Sequence, residues 1–113
     1  MSSTPVRVGV VGVGVLGRHH ARLYGEIGEA ELVGVFDADS AAASAVAEEF
    51  GARCYESLES LADASEALSV AVPSIHHSAL GQDLLARGKH LLMEKPLAVT
   101  ASECRALVEQ AEA

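Results

Sequence analysis

The segment Val6-Arg-Val-Gly-Val-Val-Gly12-Val-Gly14-Val-Leu-Gly17 constrains this chain more than any other. An apolar strand runs directly into Gly-x-Gly-x-x-Gly, and each glycine has its own mechanical task. Gly12 permits the tight turn out of the strand. Gly14 carries no side chain, so a pyrophosphate can come close to the backbone. Gly17 lets the following helix pack tightly on the sheet. The start of that helix offers unpaired N–H groups and the positive end of its dipole to an anion. Residues 6–17 therefore predict a strand–turn–helix unit that holds a dinucleotide.

A second feature supports this reading. The apolar run Leu32-Val-Gly-Val-Phe36 ends in Asp37, twenty residues after Gly17. In a dinucleotide-binding unit an acid at this place accepts hydrogen bonds from the adenosine ribose hydroxyls. Taken singly, the glycines are an ordinary turn and Asp37 a turn residue. Their combination in strand and helix context is specific.

Periodicity organises the rest of the chain. Strands are predicted over residues 6–11, 31–36, 53–55, 68–72 and 90–93. The fourth is apolar almost throughout, as expected of a strand covered on both faces, and Pro73 ends it. Helices are predicted from about Val15, with Leu16, His20, Leu23 and Ile27 inward, and over residues 40–50, stopped by Gly51. A short one is capped by Ser57, and another covers residues 78–87, stopped by Gly88. A last one is opened by the capping box Thr100-x-x-Glu103, with Cys104, Leu107, Val108 and Ala111 inward. Strict β–α alternation implies an α/β fold: a doubly wound parallel sheet of Rossmann type, with helices on both faces. Right-handed crossovers and a crevice beside the first strand give the order 3-2-1-4-5.

Composition narrows the class. The 113 residues suit one domain, and half are apolar, but only four are aromatic, so the core must be built from Val, Leu and Ala. The net charge of −8 argues against nucleic acid and against an anionic membrane surface. Met1-Ser-Ser-Thr-Pro5 does not read as a signal peptide, and residues 1–5 are expected to be a flexible N-terminus. Cys54 and Cys104 lack metal-ligand spacing and fit a reduced, cytoplasmic setting. No metal site is expected.

Ligands of such sheets sit outside the carboxyl ends of the strands. Two later strand ends are informative. Val72-Pro73-Ser74-Ile75-His76-His77 follows the fourth strand, and Glu94-Lys95-Pro96 closes the fifth. The second places a cation, a carboxylate and a rigid turn where a nicotinamide would lie. With Gly12-x-Gly14-x-x-Gly17-Arg-His-His-Ala, these segments resemble the N-terminal domain of the Gfo/Idh/MocA oxidoreductases along nearly the whole chain.

The resemblance implies NAD as cofactor, with NADP the weaker candidate. It implies that Gly12, Gly14 and Gly17, with the backbone of Val15 and Leu16, hold the pyrophosphate, and that Asp37 holds the ribose. Pro73, Ser74 and His77 match the family's Pro-Asn-x-x-His segment beside the cofactor, although Ser74 replaces the usual Asn and Val72 the usual Thr. Glu94 and Lys95 match the pair near the nicotinamide ribose and the substrate hydroxyl, with Lys95 the catalytic residue and the Lys95–Pro96 bond cis. It further implies a second, substrate-binding domain that these residues do not include, and a homo-oligomer as the full-length protein. The activity implied is oxidation of a secondary alcohol of a sugar, polyol or nucleotide sugar. The Gly-Arg-His-His-Ala-Arg run is similar to members acting on nucleotide sugars. Residues 1–113 alone are expected to be inactive.

Two rival classes share the early motifs. One is an NAD(H)-binding module without turnover. The other is an S-adenosylmethionine-dependent methyltransferase, which also pairs a glycine turn with an acid after its second strand. Other polar residues have plain readings: His20 as a core histidine, His19 and His76 as solvated groups or local caps, and Arg18 as either a phosphate contact or an exposed first-turn residue.

Overall fold

The computed structural model describes residues 5–72, 77–93, 108 and 111. Among the described residues five parallel strands are joined by four helices. They are β1 (Val6–Val11), β2 (Ala30–Phe36), β3 (Arg53–Cys54), β4 (Ala67–Val70) and β5 (His90–Met93). The helices are α1 (Val15–Glu26), α2 (Ser40–Phe50), α3 (Leu58–Ala64) and α4 (His77–Ala86). The sheet order is β3-β2-β1-β4-β5, as expected from the alternation. Among the described residues β5 pairs with β4 alone.

Successive strand residues point to opposite faces, and two cores follow from that rule. On one face Val10 and Val35 pack against Ala21 of α1 and Ala43, Val46 and Ala47 of α2. On the other, Val11, Leu68 and Val70 pack against Leu61 and Ala62 of α3 and Leu84 of α4. The register slips between Val8, opposite Leu32, and Gly9, opposite Gly34, which makes Val33 the extra residue of a β-bulge. The paired glycines leave room on the second face. A methyl on Gly9 would press on Leu61 and the Ser65 hydroxyl, and one on Gly34 would collide with the Tyr55 ring. α3 and Tyr55 therefore lie flat on the sheet.

Helix ends obey local chemistry. The Asp39 carboxylate caps α2 by accepting from Ala41 and Ala42 N–H at 3.1 and 3.2 Å. Gly51 ends α2 in the left-handed conformation, φ +67°, its N–H donating to Ala47 O. Ser57 Oγ accepts from Ser60 N–H at 3.1 Å and opens α3.

One expectation is corrected here. The stripe Leu16, Leu23 and Ile27 is not the inward face of α1; these residues are about 40 % exposed, at 43, 37 and 42 %. The buried positions are Gly17 and Ala21, with Tyr24 packed against the same core. The helix comes so near the sheet that only small residues fit at its contact line, and the larger side chains are displaced to its flank. His20 is half-buried there, edge-on to the Tyr24 ring. Below it the Tyr24 hydroxyl meets Ser69 Oγ at 2.6 Å, and Ser69 is fully buried. The expected last helix lies mostly outside the described residues. Val108 and Ala111 are helical but exposed rather than inward.

Candidate dinucleotide site

Val11 pairs with both Phe36 and Val70, so β1, β2 and β4 finish level at the carboxyl edge. Beyond them opens a cleft of about 480 Å³. Its base is Val11, Gly12 and Gly14. One wall is Phe36, Asp37 and Ala38, and the other is Ala71, Val72 and Leu80 of α4. Among the described residues the site therefore has an apolar interior with one carboxylate, Asp37, at its rim.

The turn between β1 and α1 is fixed by close approach. Gly12 takes φ +88°, and a Cβ there would stand 2.7 Å from the Ala71 carbonyl oxygen. Its N–H donates to Phe36 O at 2.8 Å. A Cβ on Gly17 would collide with the Gly12 carbonyl oxygen. Gly14 is different. It is the N-cap of α1 and faces open space, with nothing within 4 Å of an added Cβ.

The three helix starts at Gly14, Asp39 and Ser57 show a functional contrast. α2 and α3 are capped by side chains, whereas α1 has no side-chain cap and no acid in its first turn. Its first intrahelical bond at this end runs from Arg18 N–H to Gly14 O at 2.9 Å. The N–H groups of Val15, Leu16 and Gly17 lie ahead of that bond, among those a helix cannot satisfy internally. An uncapped helix start beside a glycine with open space is the chemistry of a diphosphate cradle. The residues thus fit the pyrophosphate of a dinucleotide. The Val15 side chain is 94 % exposed and Leu16 lies beside it, so their backbones, not their side chains, are suited to that task.

Asp37 directly follows β2. Its Oδ2 accepts from Val13 N–H and its Oδ1 from Asp39 N–H, both at 2.8 Å. Each oxygen keeps a second lone pair, so the carboxylate can still accept from ribose hydroxyls. The Asp39 bond is an Asx turn, a signal present in Asp37-Ala-Asp39. The Val13 bond spans the fold and has no sequence signature.

Arg18 does not turn toward the cleft. Its guanidinium grips Glu49 of α2, with Nε at 2.9 Å from Oε1, and lies over the Phe50 ring. The hydrogen bond and the opposing charge of Glu49 hold it above its ordinary pKa. Of the two readings of Arg18, the exposed structural one holds. His77 is the first residue of α4, one turn before Leu80. Pro73, Ser74, Glu94, Lys95 and the Lys95–Pro96 bond lie outside the described residues. Among the described residues no cluster of His, Cys, Asp or Glu could hold a metal, and no helix is long and apolar enough to cross a membrane.

Comparison with known proteins agrees with this geometry. Residues 6–113 match the family described as "Oxidoreductase family, NAD-binding Rossmann fold". The chain is 37 % identical over 106 residues to glucose-6-phosphate 3-dehydrogenase of Bacillus subtilis, covering 94 % of this chain and 30 % of that protein. It is 43 % identical over 108 residues to inositol 2-dehydrogenase 1 of Saccharopolyspora erythraea, covering 91 % and 32 %. Among solved structures it superposes on the UDP-N-acetylglucosamine 3-dehydrogenase GnnA from Acidithiobacillus ferrooxidans with a TM-score of 0.93 and 36 % identity, covering 97 % of this chain and 36 % of that one. The chain spans about a third of the length of these relatives. The methyltransferase alternative is set aside, since the match is to an NAD-binding family. With its sheet order, its glycine turn and this match, the chain belongs to the Gfo/Idh/MocA oxidoreductase family and is its NAD-binding Rossmann fold.

Proposed function

We propose that this chain is the cofactor-binding domain of an NAD-dependent dehydrogenase that oxidises a secondary alcohol of a sugar, polyol or nucleotide sugar. The observation that carries the reading is the uncapped start of α1 opening beside Gly14 into a cleft rimmed by Asp37. Relatives named for a sugar phosphate, an inositol and a UDP-sugar support the substrate class. Residues 1–113 form the NAD-binding domain in this reading, and a second domain supplies the substrate site. The resemblance also carries the expectation of a cytoplasmic homo-oligomer.

NAD, when bound, supplies the hydride acceptor. The backbone of Gly12, Gly14, Val15, Leu16 and Gly17 binds its pyrophosphate, and Asp37 its adenosine ribose. Pro73, Ser74 and His77 flank the cofactor after β4. Glu94 and Lys95 serve the nicotinamide side, where the Lys95 ammonium hydrogen-bonds the reacting oxygen and stabilises negative charge on it. Phe36, Val72 and Leu80 give the cleft apolar walls.

The test is calorimetric titration with NAD, followed by a hydride-transfer assay of the full-length protein with sugar phosphates, inositols and UDP-sugars. NAD binding with reduction by one class of alcohol is expected. NAD binding with no turnover of any of them would favour a binding module instead.

A further inference from the structure

We propose that Asp37 positions the phosphate-binding turn before any ligand arrives, a role separate from its contact with ribose. The inference rests on the dinucleotide reading above. Two consecutive amides of the turn are tied to two consecutive residues at the end of β2. Gly12 N–H donates to Phe36 O and Val13 N–H to Asp37 Oδ2, both at 2.8 Å. The first bond is backbone to backbone and tolerates any residue at position 36. The second needs a side-chain acceptor of aspartate length.

The carboxylate is itself held in place. Asp37 Oδ1 accepts from Asp39 N–H, and Asp39 in turn caps α2, whose Ala43, Val46 and Ala47 are buried. A rigid helix thereby fixes the carboxylate, and the carboxylate fixes Val13. Beyond Val13 the chain reaches Gly14, where no side chain supports the loop and nothing lies within 4 Å of an added Cβ. Among the described residues the clasp on Val13 is the last side-chain hydrogen bond to the turn before the uncapped start of α1. It aims the N–H groups that meet the diphosphate. Preorganised donors bind an anion better than donors that must be ordered on binding.

This role makes a prediction of opposite sign to simple electrostatics. Deleting a carboxylate near a diphosphate should favour the anion if the carboxylate acts by charge alone. If it positions the turn, deletion should weaken binding even of a nucleotide that has no ribose hydroxyls to contact.

The experiment compares ADP with 2′,3′-dideoxy-ADP by calorimetry on the wild type, Asp37→Ala, Asp37→Asn and Asp37→Glu. Amide hydrogen exchange of Val13 is measured in the ligand-free proteins, with Val10 and Val35 as internal references for folding. Asp37→Ala and Asp37→Glu are expected to lose about tenfold or more in dideoxy-ADP affinity and in Val13 protection, the scale of one hydrogen bond to a charged group. Asp37→Asn has a single acceptor oxygen, so it can keep the Val13 bond or the Asp39 bond but not both, and it should fall between the wild type and Asp37→Ala in both readouts. Dideoxy-ADP affinity that is unchanged or raised in Asp37→Ala, or Val13 exchange indifferent to it, would overturn the proposal. If the wild type binds neither nucleotide, the dinucleotide reading fails, while Val13 exchange still decides whether the clasp exists.

Discussion

Gly17 packs so closely on Gly12 that a methyl group on Gly17 would collide with the Gly12 carbonyl oxygen. The obstacle is backbone, which cannot rotate away as a side-chain tip can. Gly17→Ala must therefore push α1 off the sheet. We expect it to destabilise the fold by about 1–3 kcal/mol, the usual cost of overpacking. Urea unfolding checks this, and a wild-type midpoint would show that the helix can shift freely.

Gly14→Ala should behave in the opposite way. Its φ of −65° suits any residue, and its Cβ would meet nothing within 4 Å. Stability should stay within about 0.5 kcal/mol of wild type. The added methyl group would instead enter the space assigned to the pyrophosphate, so NAD affinity should fall. Parallel unfolding and NAD titration of the two alanine variants separate the glycine that builds the fold from the glycine that admits the ligand.

The rim of the cleft should favour NAD over NADP. Among the described residues Asp37 and Ala38 line it, so a carboxylate and no cation flank the place of the ribose. A 2′-phosphate about 4 Å from that carboxylate would cost about 4 kcal/mol per pair of unit charges at an effective dielectric of 20. Competitive titration should show NADP binding at least about tenfold more weakly, and Asp37→Ser with Ala38→Arg should narrow the gap. Equal affinities in the wild type would mean that a cation outside the rim compensates.

Beneath α1, the Tyr24 hydroxyl and Ser69 Oγ form a hydrogen bond at a fully buried serine. Tyr24→Phe leaves the Ser69 hydroxyl without this partner and should cost about 1–3 kcal/mol. Adding Ser69→Ala removes the stranded group, and the double variant should recover part of that loss. A strictly additive double-mutant cycle in thermal or urea unfolding would show that the two groups are not coupled.

Much of this architecture was legible in the sequence because local and global signals agree. Val6–Val11, Ser40–Phe50 and His90–Met93 lie where periodicity, caps and glycine stops place them. The strand order followed from alternation and the handedness of crossovers. Features set by three-dimensional fit were not legible. The inward face of α1 was misread because apolar size points to Leu16, Leu23 and Ile27, whereas closeness to the sheet selects Gly17 and Ala21. The bulge at Val33 leaves no mark in the alternation of β2. Glu49, which pairs with Arg18, and Val13, which donates to Asp37, lie 31 and 24 residues away in the chain, beyond any local pattern.

The last prediction concerns Lys95, whose assignment rests on Glu94-Lys95-Pro96 following β5 and on membership of the family. A group that hydrogen-bonds the reacting oxygen does most of its work in the transition state, where negative charge on that oxygen is greatest. Lys95→Met keeps the length of the side chain and removes the charge. In the full-length enzyme it should lower kcat by about a hundredfold or more. NAD affinity should change little, since the pyrophosphate and adenosine contacts are assigned to the glycine turn and Asp37. Lys95→Arg should not restore turnover, because a planar guanidinium replaces a compact ammonium poorly at a single oxygen. Steady-state kinetics with separate NAD titration measure both quantities. Loss of NAD binding in parallel with kcat would move Lys95 from the reacting centre to the cofactor site, and near-normal turnover would remove it from both.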